Sequence, residues 1–306
     1  MALITTTTSP ALDTPQPNVA PRAGIVRVLR QVWAGGMGRF ALICVCALLL
    51  CAIFAPWLAP HDPIAIKAAL RLKGPSMDYW LGNDQLGRDV LSRLIYGSRI
   101  AMTVAFVGTG GALLIGSMLG LLAGYGPRQI DTLLMLFCDS LMSIPMILFA
   151  LAVVTLIGSS VATIIMIIIT FMVPGYFRVV RSQTRVLKRM EYIIAARAMG
   201  ASPLSVVFRH LIPNLTGTLL VLVAMDIPAV IAIESGLSFL GQGVQPPDAS
   251  WGTVLNDGYS FIRQAPHIVI AAGLPIILAT LGFTFLGEAL RDALDPRTAR
   301  QSKGDN

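Results

Sequence analysis

The chain has 306 residues, of which 55% are hydrophobic and only 13% charged, with a mean hydropathy of +0.73. A soluble domain carries about 25% charged residues, so this composition excludes an ordinary soluble fold and points to an integral membrane protein. The formal net charge of +7 would suggest nucleic-acid binding in a soluble protein; here it reads as Lys and Arg holding loops on the cytoplasmic side of a bilayer, and no nucleic-acid partner is expected.

Residues 1 to about 21, "MALITTTTSPALDTPQPNVAP", have no apolar period and read as a disordered tail. Arg22, Arg27, Arg30 and Arg39 follow. The first apolar run, "FALICVCALLLCAIFAPWLAP", lies too far from the start for an ordinary signal peptide. It is expected to be a retained transmembrane helix near 38–59. Five more spans, each near the 20 apolar residues a bilayer demands, are expected at about 98–124, 131–157, 160–180, 214–235 and 267–290. Pro145, Pro174, Pro228 and Pro275 interrupt them and predict kinks, which bundled membrane helices tolerate. Gly108, Gly110, Gly111, Gly116, Gly120 and Gly124 crowd the second span and predict close helix contact. No G-x-x-x-x-G-K-[ST] pattern occurs, so nucleotide binding by this chain is not expected.

Six spans put both termini on one side. With the N-terminus inside, sixteen of the 23 Lys and Arg fall on inner segments and seven on outer ones. The excess predicts cytoplasmic termini. Before the second span, "GRDVLSRLIYGSR" sets Arg88, Arg93 and Arg99 among apolar residues, as in an interfacial helix entering the membrane.

The segment "EYIIAARAMGASPLSVVFRHLIPNL" (191–215) then falls on the cytoplasmic side. Val186, Leu187, Met190, Ile193 and Ile194 recur at helical spacing. Gly200 can end that helix in a left-handed turn. Ser202 and Pro203 suit the N-cap and first position of a second short helix, which Pro213 would end. On chemistry alone two readings stand: a helix that docks into a protein groove, or an amphipathic loop resting on headgroups.

Asp226 and Glu234 lie eight residues apart in the fifth span, a little over two turns, and should share a face. Asp226 is expected to bond a neighbouring helix or subunit, the alternative being a pathway acid that meets a substrate amine. Glu234 is expected to serve structure or gating near the outer end. His61, His210 and His267 are scattered, and the cysteines at 44, 46, 51 and 138 lack metal spacing. No metal, cofactor or catalytic constellation is expected. A stand-alone secondary transporter would favour internal inverted repeats, and none is visible.

A resemblance favours the docking reading. "AARAMGASPLSVVFRHLIPN" resembles the coupling loop of ABC importer permeases, where Ala-Ala, a Gly four residues later and a downstream Pro recur; Ile194 stands where many members carry Glu. "WLGNDQLGRDVLSRLIYGSRI" (80–100), "ESGLSFLGQGVQPPDASWGTVLNDG" (234–258) and "LGEALRDALDPR" (286–297) resemble the dipeptide/oligopeptide/nickel group of these permeases, and within it the subunit that pairs with a second, different permease. The likeness spans about 38–298. It implies an all-α membrane protein of about six transmembrane helices with the type I ABC importer permease fold. Residues 1–37 would be a disordered, basic cytoplasmic tail. Residues 38–290 would be the permease domain, with a cytoplasmic coupling loop at about 181–213, and 291–306 a cytoplasmic C-terminal tail. Ile193, Ile194, Ala195, Ala196, Gly200, Ala201, Ser202 and Pro203 would couple to the ATPase, and Asp226 and Glu234 would serve pathway or gating. The implied partners are a second permease, two ATP-binding subunits and an extracytoplasmic substrate-binding protein, in a bacterial inner membrane. The cargo would be a di- or oligopeptide, or alternatively nickel or another small solute. Such a chain is a transport subunit and not an enzyme.

Overall fold

The computed structural model of the protein describes residues 25–294, which are helical apart from turns and a single bridge between Asn83 and Asp89. The expected tail at 1 to about 21 and the terminal residues Asp295, Pro296, Arg297, Arg300 and Lys303 lie outside the described residues. The helices, in chain order, are α1 (Ile25–Ala34), α2 (Gly36–Ile53), α3 (Ala55–Leu58), α4 (Val90–Tyr125), α5 (Arg128–Met142), α6 (Met146–Ile157), α7 (Val161–Leu187), α8 (Glu191–Ala198), α9 (Pro203–Val206), α10 (Ile212–Phe239), α11 (Trp251–Ser260) and α12 (Pro266–Leu294). Among the described residues, five segments are long and apolar enough to cross a membrane, with α9 and α10 joined as one, and α5 with α6 can supply a sixth.

Two expectations need correcting here. The tail assigned to 1–37 includes α1, a helix that buries Val28 and Val32 while packing on α2 and α12. The third span is not one kinked helix. α5 and α6 meet at 86° across the break at Ser143–Pro145. Pro145 disfavours helical geometry at the residue before it, so Pro145 caps a new helix instead of bending an old one. The prolines at 174, 228 and 275 stay inside α7, α10 and α12.

Close packing of α4 on α7 organises the bundle. Gly108, Ala112, Gly116, Gly120 and Gly124 repeat every four residues and are all buried, so they form one stripe down α4. A Cβ added at Gly116, Gly120 or Gly124 would lie 2.6 Å, 2.7 Å and 2.7 Å from the Cβ atoms of Tyr176, Val180 and Thr184. Hydrocarbon gives helices no hydrophobic reason to associate, so such backbone approach and its van der Waals contact hold them together. Further along, Phe283 of α12 joins Ile164, Ile167 and Ile168 of α7 in the main apolar core.

At the end of the bundle where α4 begins, loop 59–89 is fixed by buried charge. Arg93 Nη1 donates to Asp84 at 2.5 Å and to Asp257 of α11 at 2.8 Å, and Arg88 Nε donates to Asp84 at 2.6 Å. Asp89 caps α4 by accepting from Ser92 N at 2.9 Å. Trp251 Nε1 donates to the Leu94 carbonyl at 3.0 Å. The sequence "GRDVLSRLIYGSR" is therefore the first turns of α4 itself, tied to α11.

Gly120→Leu is expected to cost about 1–3 kcal/mol through overpacking, seen as a lower thermal midpoint and a lower yield in detergent. Gly110→Leu, at a position with no neighbour within 4 Å, should behave like the parent protein.

Candidate functional site

At the opposite end of the bundle, α7 runs into a compact module that returns the chain to α10. α7 stops at Leu187, and the turn Lys188–Met190 separates it from α8. The single helix expected through Val186 to Ile194 is thus two helices, with Met190 capping the second. The end of α8 is a Schellman turn. Gly200 has φ +90°, its N–H donates to the Arg197 carbonyl at 2.9 Å, and the Ala201 N–H donates to the Ala196 carbonyl at 3.0 Å. Glycine meets no side-chain penalty there. Ser202 then caps α9, accepting from Ser205 N at 3.3 Å, with Pro203 in the first turn. Both local expectations hold.

Pro213 behaves otherwise than expected. It does not end a helix but occupies the first turn of α10. A π-helical turn over Val207–Leu211 precedes it. A proline clashes with the carbonyl four residues back in an α-helix, and the wider π register relieves that clash without breaking the path.

The module has its own core. Ile193, Val206 and Leu211 are each fully buried, and Leu121 and Tyr125 of α4 and Leu187 of α7 pack around them. Ile193 and Ala196 therefore face the body and are not free to contact a partner. Ile194, Ala195, Gly200, Ser202 and Pro203 are exposed and Ala201 is half-buried. Beside them stand Met199 at 82%, Leu204 at 71% and Phe208 at 67% exposure. These last three complete an apolar ridge that the residue pattern alone did not single out, although Leu204 and Phe208 are spaced i, i+4.

Cations fasten the module's base. Arg181 and Arg185 of α7 both pair with Asp131 of α5, and Arg178 pairs with Asp139 at 2.6 Å. Lys188 Nζ donates to the Gly124 carbonyl at 2.6 Å, near the end of α4. Burial first, and then Arg185, Arg189 and Arg197, holds its ammonium below the usual lysine range. Arg197 lies over the Tyr125 ring, 4.8 Å from its centroid.

The two intramembrane acids do not form one site. Glu234 is fully buried, accepts from Ser238 Oγ at 2.8 Å and from Ser235 Oγ at 3.3 Å, and interacts with Ser250, the N-cap of α11. Its contacts join α10 to α11. Asp226, half-buried on α10, instead lies near the buried Tyr176 of α7, whose hydroxyl has no hydrogen-bond partner among the described residues. With the two about 12 Å apart along the axis at 1.5 Å per residue, each meets a different helix.

Comparison with known proteins agrees with this architecture. Residues 116–300 match the family described as the binding-protein-dependent transport system inner membrane component, and residues 29–75 match the N-terminal TM domain of oligopeptide transport permease C. The chain is 41% identical over 272 residues to a glutathione transport system permease protein, GsiD, of Pectobacterium atrosepticum, covering 89% of each chain. It is 36% identical over 293 residues to a dipeptide transport system permease protein, DppC, of Alkalihalophilus pseudofirmus, covering 94% of this chain and 96% of that one. A chain of the MetNI methionine ABC transporter in an inward-facing conformation superposes with a TM-score of 0.54 at 17% identity, covering 67% of this chain and 96% of that one. This chain belongs to the family of inner membrane components of binding-protein-dependent transport systems. It is a multi-pass permease subunit with the type I ABC importer fold, and ATP hydrolysis in this family is the work of separate subunits.

Gly200→Val meets no neighbour within 4 Å, so its cost is backbone strain alone, about 1–2 kcal/mol for a left-handed non-glycine residue. The expected result is faster amide hydrogen exchange at residue 200, at Ala201 and through α8, with exchange in α4 and α7 unchanged.

Proposed function

We propose that this subunit forms half of the pathway of an ATP-driven importer for di- or oligopeptides, paired with a second, different permease. Two cytoplasmic ATP-binding subunits drive the complex, and an extracytoplasmic binding protein delivers the cargo. The peptide assignment is supported by relatives named for glutathione and for dipeptide transport. Both termini are cytoplasmic in this reading, supported by the excess of Lys and Arg on the side of the module.

The observation that carries the coupling role is the exposed ridge of Ile194, Met199, Leu204 and Phe208 on a module that already has a buried core. A rigid helical surface with apolar side chains facing outward suits insertion into a protein groove. Ala195 and Ala198 lie exposed on α8 beside that ridge, and their small side chains admit a close neighbour. Ile193, Ala196 and Ala201 serve by shaping the module, and Gly200, Ser202 and Pro203 by setting its turn. Glu234 acts as a structural acid that holds α10 to α11, and Asp226 as a half-buried acid placed beside Tyr176 of α7.

The test is Leu204→Asp in the assembled complex. The apolar side chain is exposed, so folding and membrane insertion should match the parent. Co-purification of the ATP-binding subunits and cargo uptake should both fall at least about ten-fold, as expected when a carboxylate is forced into an apolar groove. Parent-level uptake and co-purification would remove the coupling role from this module.

A further inference from the structure

A groove opens at the foot of the module, where α7 ends. Its volume is about 400 Å³, and Arg185, Val186, Arg189 and Met190 line it. Acids nearby do not match its two cations. Arg185 shares Asp131 with Arg181, so one carboxylate serves two guanidinium groups. Arg189 is exposed and has no ion-pair partner among the described residues. From Arg128 to Arg197 the chain carries seven Lys and Arg against three Asp and Glu, so the field at the groove favours an anion. Lys188 registers the same excess: burial first, and then Arg185, Arg189 and Arg197, hold its ammonium below the usual lysine range.

The groove lies at the edge of the hydrocarbon. Ile130, Leu133 and Phe137 form an exposed apolar stripe on α5, at the three- and four-residue spacing of one helix face. The stripe begins beside Asp131, the residue that holds Arg185. Side chains that seek acyl chains therefore reach the level of the groove. On α7 the uncharged run ends at Phe177, about 12 Å along the axis before Arg185. The headgroup layer and the arginine stem together span that distance.

We propose that this groove binds the phosphate of an anionic phospholipid from the adjoining leaflet, with Arg185 and Arg189 holding its oxygens and Val186 and Met190 lying against its glycerol and upper acyl carbons. A guanidinium presents paired donors that match two phosphate oxygens, and basic pockets beside spanning helices are suited to lipid headgroups. A soluble phosphate would gain nothing from Val186, which is 58% exposed, or from Met190. An acidic face of an ATP-binding subunit is the other occupant that the charge admits. The ridge proposed to dock such a subunit begins only at Ile194, beyond the groove, whereas the apolar stripe of α5 runs up to Asp131. That continuity favours lipid, and the site does not depend on the coupling role.

The test uses the complete importer in nanodiscs of phosphatidylcholine with increasing fractions of phosphatidylglycerol. The complex is extracted in mild detergent, and its retained lipid is read by mass spectrometry of the intact assembly. The parent is expected to retain phosphatidylglycerol in preference to phosphatidylcholine. Arg189→Gln, a change at an exposed residue outside the ridge, should need roughly five-fold more phosphatidylglycerol for equal retention, the scale of one cation at an anionic membrane surface. Arg189→Lys keeps the charge and should stay near the parent. Val186→Asp brings a like charge against the phosphate and should lose retention at least as far as Arg189→Gln. Absence of any preference in the parent, or parent-level retention by both Arg189→Gln and Val186→Asp, would overturn the site. Displacement of the lipid by millimolar inorganic phosphate would overturn the lipid as its occupant. Loss of the ATP-binding subunits from Arg189→Gln would overturn it too, and would assign the groove to protein docking.

Discussion

Backbone-close contact between α4 and α7 is the constraint on which the rest of the protein depends. The buried stripe at Gly116, Gly120 and Gly124 leaves no room for a Cβ, so the distance between the two helices is set by main chain and not by adaptable side chains. In lipid, apolar surface alone does not choose one helix partner over another; steric fit of this kind does. Once the pair is fixed, the end of α7 lies beside the end of α4, and Lys188 reaches the Gly124 carbonyl. Asp131 can then serve Arg181 and Arg185 together, which brings α5 to the same end. The α8–α9 module is built on that platform.

Polar groups do a second job at the two ends. Asp84 is fully buried between Arg88 and Arg93, and removing one partner of such a cluster leaves an unpaired charge costing about 3–5 kcal/mol. Glu234 is likewise enclosed by serines, one of which caps α11. These contacts fix α11 and the long loop to α4 and α10. The module end is held by a different arrangement: a small apolar core, a lysine on a carbonyl and an arginine on an aromatic ring. A helix bundle closed by specific bonds at one end and presenting an apolar ridge at the other is a body suited to receiving motion.

Much of this was legible in the sequence where its cause was local. Apolar length gave the spans, because a bilayer requires about 20 such residues. The glycines of the second span announced close packing, and Gly200 with Ser202–Pro203 announced the turn, because each depends on a few neighbouring residues. What was not legible depended on the third dimension. Ile193 and Ile194 are indistinguishable in composition, yet one is fully buried and the other 54% exposed. Pro213 looked like a stop and is a start, because a π turn absorbs it. The pairing of Asp131 with arginines some fifty residues away, and of Arg93 with Asp257, has no signature in spacing. Tyr125 gave no signal at all, since only the fold brings it under Arg197.

The docking proposed for the α8–α9 module requires that one defined face of it meet the ATP-binding subunits. Adjacent cysteines test it most directly. In a background without the native cysteines, Ile194→Cys, Leu204→Cys and Ile193→Cys are compared by cross-linking in the assembled complex. Ile194→Cys and Leu204→Cys are expected to form adducts with an ATP-binding subunit, and Ile193→Cys, turned into the permease body, is expected to form none. Equal cross-linking from Ile193 and Ile194, or none from Ile194 and Leu204, would contradict it.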